Sequence, residues 1–146
     1  MIDELVLQVP TREAIERLEA EVLKLPQVDL RTTHVLSGGL YARTMFVPAG
    51  AVCIGALHKK DHVNVMHGDA SFWSDGVMTR VSGFQVLAGV AGSKRAIVAH
   101  ADTWWTTMLR TDLIDIEEIE TEATDEHQKL QSRQQRIEEV KSWHLE

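Results

Sequence analysis

One short stretch carries most of the side chains that could do chemistry: Gly55-Ala56-Leu57-His58-Lys59-Lys60-Asp61-His62-Val63-Asn64-Val65-Met66-His67-Gly68. It is a set of imidazoles, one carboxylate and one amide, and three readings compete for it. In the first, His58 and His62 join Asp61, or the more distant His100, around a single divalent ion. Those donors suit zinc, iron, nickel or manganese. In the second, His62 and Asn64 line a polar pocket that holds no metal. In the third, the histidines are turn and strand residues satisfied by backbone or water. Strand side chains two apart share a face, so His62 and Asn64 point one way and Val63 and Val65 the other. A β-barrel can line a pocket in this manner and keep a dry wall behind it.

Other candidates lie along the chain. Arg95 carries a guanidinium, which repels a metal ion and pairs with a carboxylate or phosphate. It reads either as an anion anchor or as an arginine on a sheet edge, and Lys94 beside it is expected to alternate outward. Tyr41 and Arg43 share a face of one strand, where they add to a pocket or to a subunit contact. Trp104 and Trp105 must point to opposite sides of theirs. One is expected in the core, the other at the pocket mouth, against a helix or in a dimer contact. His100 follows Arg95 by an odd number of residues, so a regular strand puts the two on opposite faces. The expected ligand-binding set is therefore Asn64, Arg95, Tyr41, Arg43 and Trp105. The expected metal set is His58, His62, Asp61 and His100. There is no glycine-rich phosphate loop, no serine nucleophile elbow and no HExxH, so the usual kinase and hydrolase signatures are absent. No catalytic residue is assigned, and whether the chain is an enzyme stays open.

Three zones position these residues. Residues 1–32 are an N-terminal strand/helix zone, its helix running from about Pro10 to Leu25, with Ile15, Leu18, Val22 and Leu25 on one face, Thr11 as its cap and Pro26 as its stop. That face must dock on its own barrel or on a partner subunit. Residues 33–111 are β-rich, with about eight short strands: Leu40–Val47, Ala51–Leu57, His62–His67, Ala70–Trp73, Val77–Val81, Phe84–Leu87, Arg95–Ala99 and Thr103–Arg110. Turns are read at Ser37-Gly38-Gly39, Pro48-Ala49-Gly50, Gly68-Asp69, Ser82-Gly83 and Ala91-Gly92-Ser93, and Asp75-Gly76 is the strongest hairpin signal. Residues 112–146 open with an acidic run from Asp112 to Glu126. Leu113, Ile116, Ile119 and Ala123 predict a helix there to about Glu122, with the acids on a solvated face. From Thr124 a polar, glutamine-rich tail follows, and Ile137, Val140 and His144 make a weak stripe near Trp143. The tail is either a second helix or loosely ordered.

Short strands, the Pro48-Ala49-Gly50 turn, a histidine-rich turn before a glycine-terminated strand, and a later glycine turn resemble the cupin superfamily of small jelly-roll barrels. More narrowly, the chain is similar to the single-domain cupin-like proteins of phages and prophages. The resemblance covers roughly Thr33 to Thr111. It implies an antiparallel jelly-roll barrel, all-β with helical ends. It also implies a metal site on a His-x-His pair, a carboxylate, and a later histidine. Asp61, seven before Gly68, matches the carboxylate. His58 falls one residue out of register with the second histidine, and Gly55 or Ala56 stands at the first. Gly92 matches the turn glycine of the second motif, but Arg95 stands at its histidine and Ala99 at its asparagine. The function implied is a small protein holding a small polar or anionic ligand in its barrel. A metal-dependent isomerase or dioxygenase, or an oligomeric accessory protein, are the alternatives.

Composition narrows the partners. A net charge of -7 leaves no basic face for nucleic acid. No window reaches the ~18 apolar residues of a membrane span. Cys53 is the single cysteine, so neither an intrachain disulfide nor a cysteine-based zinc site is available, and between Val52 and Ile54 it reads as a core residue. Met1-Ile2-Asp3-Glu4-Leu5 lacks a basic segment followed by a long apolar one. The expectation is a cytoplasmic protein, in the host cytoplasm if phage-encoded, that pairs as a homodimer.

Overall fold

The computed structural model describes residues 11–74 and 76–136. Seven strands form one sheet: β1 (Thr33–Ser37), β2 (Leu40–Val47), β3 (Val52–Ile54), β4 (His62–Ser74), β5 (Val77–Gly89), β6 (Ala96–Ala99) and β7 (Thr103–Arg110). They are hydrogen-bonded in the order β1-β2-β7-β4-β6-β3, with β5 on the other edge of β4. Every pair is antiparallel. The sheet curls into the half-barrel of a jelly roll. Helix α1 (Arg12–Val22) precedes it. Helix α2 (Ile116–Ala123) and a 3-10 turn (His127–Lys129) follow, and residues 131–136 are again helical.

The glycines expected to reverse the chain at Gly68 and Gly83 do not. The two predicted strands on each side of them fuse, into β4 and into β5, and Gly68 pairs with Gly83 across the ladder. Both have positive φ, 146° and 74°. At this point β4 changes its other neighbour: Val63–His67 pairs with β7 and Ala70–Trp73 with β6. A Cβ on Gly68 would lie 2.7 Å from the Asp102 carbonyl. Glycine is needed there for close approach and for a backbone that other residues resist, not for a turn. The real reversal closes at the Ser74–Val77 pair, next to Gly76 with φ 80°; Asp75 lies outside the described residues. β1 is an additional strand that no run of residues announced, and β3 is shorter than its predicted segment.

Alternation along the strands sorts side chains onto two faces. Met45, Val47, Cys53, Met66, Ala70, Phe72, Ile97, Ala99 and Trp105 meet on the concave face as the main core. Burial raises the Cys53 thiol to about 11, which suits a core residue and no nucleophile. On the convex face, Trp73, Ala96 and Val98 pack under Ile15 and Leu18 of α1. Ile15, Leu18 and, in part, Val22 of the expected stripe are thus packed by their own barrel, while Leu25 lies past the end of the helix and is exposed. Thr11 caps α1 by accepting from Ala14 N at 3.3 Å, while Pro10 lies outside the described residues. A third cluster joins Tyr41 and Leu109 to Ile119 of α2, with Leu113 and Ala123 at its edge.

One ion-pair cluster binds α1 and the C-terminal segment to Lys94, which turns outward as expected but is covered there, and a second joins α2 to the chain that follows it. Lys94 does not reach solvent. Its side chain is 2% exposed, with Nζ 3.1 Å from Glu19 of α1 and 2.8 Å from Glu126. Glu126 also accepts from the Leu57 N–H at 2.7 Å, and Lys129 flanks both carboxylates. The acidic run is likewise not all solvated. Glu120 is 2% exposed and takes Arg133 Nε at 3.2 Å, Ser132 Oγ at 3.2 Å and a contact from Arg136. A carboxylate can be buried this deeply only when cations and hydrogen bonds satisfy it. The chain after Thr124 carries a 3-10 turn and a helical segment held by these contacts; Ile137, Val140, Trp143 and His144 lie outside the described residues.

Two predictions follow from Lys94. Lys94→Met should destabilise the fold toward the lower end of the ~3–5 kcal/mol range for breaking a buried pair, because the carboxylates keep some hydration. Chemical denaturation of the two proteins measures this, and a loss below ~1 kcal/mol would show the cluster to be incidental. Burial alone would raise the Glu126 carboxyl, but hydrogen bonds from Lys94 and Leu57 N and the charge of Lys94 bring it down to about 2. A carboxyl lowered on folding stabilises above its unfolded value near 4.5, and that contribution fades as pH falls from there toward about 2. Thermal melts across that window should fall less steeply for Glu126→Gln than for the wild type.

Candidate functional site

Asn64 is the best-defined polar group of the interior. It is 1% exposed, and its Oδ1 accepts from Trp105 Nε1 at 3.1 Å and from Thr107 Oγ1 at 3.0 Å. An indole N–H only donates, so the amide oxygen must face Trp105. The Nδ2 group is then turned away, buried and without an acceptor. Register explains the arrangement. Thr107 is the rung partner of Asn64 on one side and of Arg43 on the other, so Arg43, Thr107 and Asn64 stand in a row on the concave face. Arg43 Nε is also buried without an acceptor. The row presents two buried hydrogen-bond donors without an acceptor, on the two strands that flank β7.

Arg95 completes the wall from the far side. Lys94 is held outward by α1, so alternation aims Arg95 inward. Its guanidinium lies 5.3 Å over the Phe72 ring, and Nη2 donates to the Ala88 carbonyl at 3.2 Å. Arg95 is half-buried, with its guanidinium over the concave-face ring of Phe72. The field it makes with Arg43 is visible at His58. Desolvation first, then His62, Arg95 and Arg43, lower that imidazole to about 3. His62 is lowered too, mainly by burial. Both histidines are therefore neutral at physiological pH.

All five expected ligand-binding residues share the concave face, where Arg43, Asn64 and Arg95 bring polar groups and the other two are used otherwise. The Tyr41 hydroxyl shares a 2.7 Å hydrogen bond with His34 Nδ1 beneath α2, and burial raises it to about 12. Trp105 is a core ring, edge-on to Phe72, and its polar atom holds Asn64. Thr107, which sequence reasoning did not single out, does the same. No local signal marks it, because its role depends on the register between β4 and β7.

The expected metal set does not assemble. Asp61 is exposed and accepts from Ala91 N at 2.9 Å, so it braces a loop. His100 bonds Ser71 Oγ at 2.7 Å, and Ser71 faces the side of β4 opposite to Asn64. His58 and His62 stack, with ring centroids 3.9 Å apart and planes 25° from parallel. An imidazole donates its lone pair in the ring plane, and planes so disposed do not converge on an ion ~2.0–2.1 Å from each nitrogen. His62 Nδ1 lies 2.9 Å from the Lys60 carbonyl and donates to it. Its remaining Nε2 is pressed against Gly89, where a Cβ would lie 2.6 Å from the ring's Cε1. Among the described residues no three metal-ligating side chains of the His, Cys, Asp and Glu types cluster. The residues present do not fit a resident metal ion.

No family model matches the chain, and no curated relative matches it by sequence. Solved structures do match. A cupin 2 domain-containing protein from Halorhodospira halophila aligns with a TM-score of 0.50 at 13% identity, over 62% of this chain and 69% of that one. KdgF from a Halomonas species aligns with a TM-score of 0.50 at 16% identity, over 60% and 84%. A cupin superfamily protein from Desulfitobacterium hafniense gives 0.48 at 13%, over 60% and 84%. Among the described residues no helix is long and apolar enough to cross a membrane. At these identities the likeness is one of fold: the chain has the cupin jelly-roll architecture, and what its half-barrel holds must follow from its own residues.

Proposed function

We propose that this chain is a binding protein whose half-barrel takes a small anion, a carboxylate before all others, without a resident metal. The observation that carries the reading is Asn64: its oxygen is locked by Trp105 and Thr107, and its buried amide N–H group lacks an acceptor beside the buried Arg43 Nε. Unsatisfied buried donors cost about 1–3 kcal/mol each, and a carboxylate bridging them would recover that. A planar carboxylate suits a guanidinium better than it suits an ammonium. Arg95 supplies a second cation on the opposite wall, and the neutral His58 and His62 add no competing charge.

A metal-dependent isomerase or dioxygenase is disfavoured by the stacked histidines and by the outward Asp61 and His100. No catalytic role is assigned to any described residue, so the proposal is binding without assigned catalysis. The phage or prophage setting implied by the resemblance belongs to the proposal as well, and flanking genes for virion or lysogeny proteins would support it.

Calorimetric titration with a series of small mono- and dicarboxylates and with inorganic phosphate tests the reading. At least one carboxylate should bind. Arg43→Met and Asn64→Leu should each weaken it by about 1.5–3 kcal/mol, the range for a hydrogen bond to a charged group. Arg95→Ala should cost a similar amount, and His62→Ala less. Absence of binding across the series would overturn the proposal. So would stoichiometric metal in protein purified without chelator that is lost in His62→Ala.

A further inference from the structure

The helical segment at residues 131–136 is tied in two directions. Toward α2, Glu120 takes Arg133 Nε at 3.2 Å and a contact from Arg136. Arg133 Nη2 also donates to the Glu117 carbonyl at 2.6 Å and to Thr121 Oγ1 at 3.1 Å. Toward residues 28–31, Gln131 accepts from the Leu30 N–H at 3.0 Å and donates to the Val28 carbonyl at 2.8 Å. Gln135 donates to Asp29 Oδ1 at 3.2 Å. Held in this way, Leu30 packs against the main core, and its carbonyl accepts from Phe46 N at 2.7 Å, beyond the last rung that β2 shares with β1. Residues 28–31 thus form a strap on the concave side at the β1 edge. Arg31 is the only non-glycine with positive φ among the described residues, 46°. Such a backbone persists only where its surroundings impose it.

We propose that residues 127–136 are a proton-operated latch, which holds the 28–31 strap on the half-barrel and releases it in acid. His34 is the trigger. It stands on β1 at the rung of Arg43. Groups from each neighbouring element face it: Tyr41 and Arg43 of β2, Glu120 of α2, and Arg136 of the helical segment. A guanidinium only donates, so Arg136 Nη1 at 3.4 Å makes His34 Nε2 an acceptor. The ring proton is then on Nδ1, 2.7 Å from the Tyr41 hydroxyl. A further proton has to go on Nε2, where it removes the acceptor and sets another cation beside Arg43 and Arg136. Glu120 is already shared by two guanidiniums and does not offset it. Burial first, then Arg136 and Arg43, accordingly lower the His34 imidazole against the pull of Glu120. A base lowered in the closed form takes its proton more readily in the open one. The closed form keeps its full advantage above the ordinary value of 6.5 and loses it as pH falls below that value. Lys94 and the Leu57 N–H still hold the chain at Glu126, so the opening is local. The latch works in the same way whatever the half-barrel holds.

Hydrogen–deuterium exchange of the full chain at pH ~7.5 and ~5.5, on either side of the ordinary histidine value, reads the latch once intrinsic rates are corrected. A proton taken only by the open form raises its population about tenfold at most at the lower pH. The Leu30 and Phe46 amides should therefore exchange about three- to tenfold faster there, while the Met66 and Trp105 amides of the core should not change. His34→Gln, whose amide can accept from Arg136 and donate to Tyr41 without taking up a proton, should abolish the acceleration. Gln131→Ala should leave the strap fast at both pH values. If circular dichroism shows His34→Gln to be unfolded, NMR titration of the His34 ring in the wild type replaces it, and the ring's protonation should coincide with the rise in exchange. No acceleration in acid overturns the inference, as does a ring that titrates apart from it. So does an acceleration shared by the core amides, or one that folded His34→Gln retains, which would point to His127 against Arg133.

Discussion

The placement of everything else in this molecule depends on one buried ammonium. Lys94 sits between Glu19 of α1 and Glu126 of the C-terminal segment, with its side chain 2% exposed. Withdrawing it from water costs several kcal/mol, and only two carboxylates at hydrogen-bond distance offset that. The consequence is positional. Lys94 pointing outward to the helix forces Arg95, its neighbour, to point inward. Glu126, held also by Leu57 N, ties the tail to the loop that carries His58. A single ion cluster thus sets the face of Arg95, the seat of α1 and the path of the chain after Thr124.

Inside the sheet the governing constraint is hydrogen-bond supply. Trp105 and Thr107 both spend their donors on Asn64 Oδ1, which leaves Nδ2 and the nearby Arg43 Nε as donors in a wall otherwise made of Met66, Phe72 and Trp105. The histidines stack instead of converging, and Lys60 and Gly89 fix the orientation of one of them. On this concave side Arg43 stands in the row with Thr107 and Asn64, and Arg95 lies over Phe72.

The sheet has two sides. Its concave side keeps the core and the donor row. On its convex side α1 is the described helix, packed over Trp73, Ala96 and Val98 beyond the point where β4 exchanges β7 for β6. Gly68 and Gly83 make that exchange possible within one unbroken hairpin, so two residues without side chains decide the curl of the sheet.

Much of this could be read from residues alone. Alternation placed His62 and Asn64 on the buried face and Val63 on the outer one, because a two-residue period depends only on an extended backbone. Thr11, the Ile15–Leu18 stripe, and the bounds of β2 and β7 follow from local capping and patterning in the same way. Gly68 and Gly83 were legible as special but not as non-turns, since a glycine at a strand bend and one at a reversal look identical without the neighbouring strand. Lys94, Glu120, Thr107 and His100 were beyond local reading for one shared reason. Their roles come from partners more than ten residues away, and only the tertiary structure decides which buried charge finds a counter-charge, which donor finds an acceptor, and which histidine is left on the wrong side of a strand.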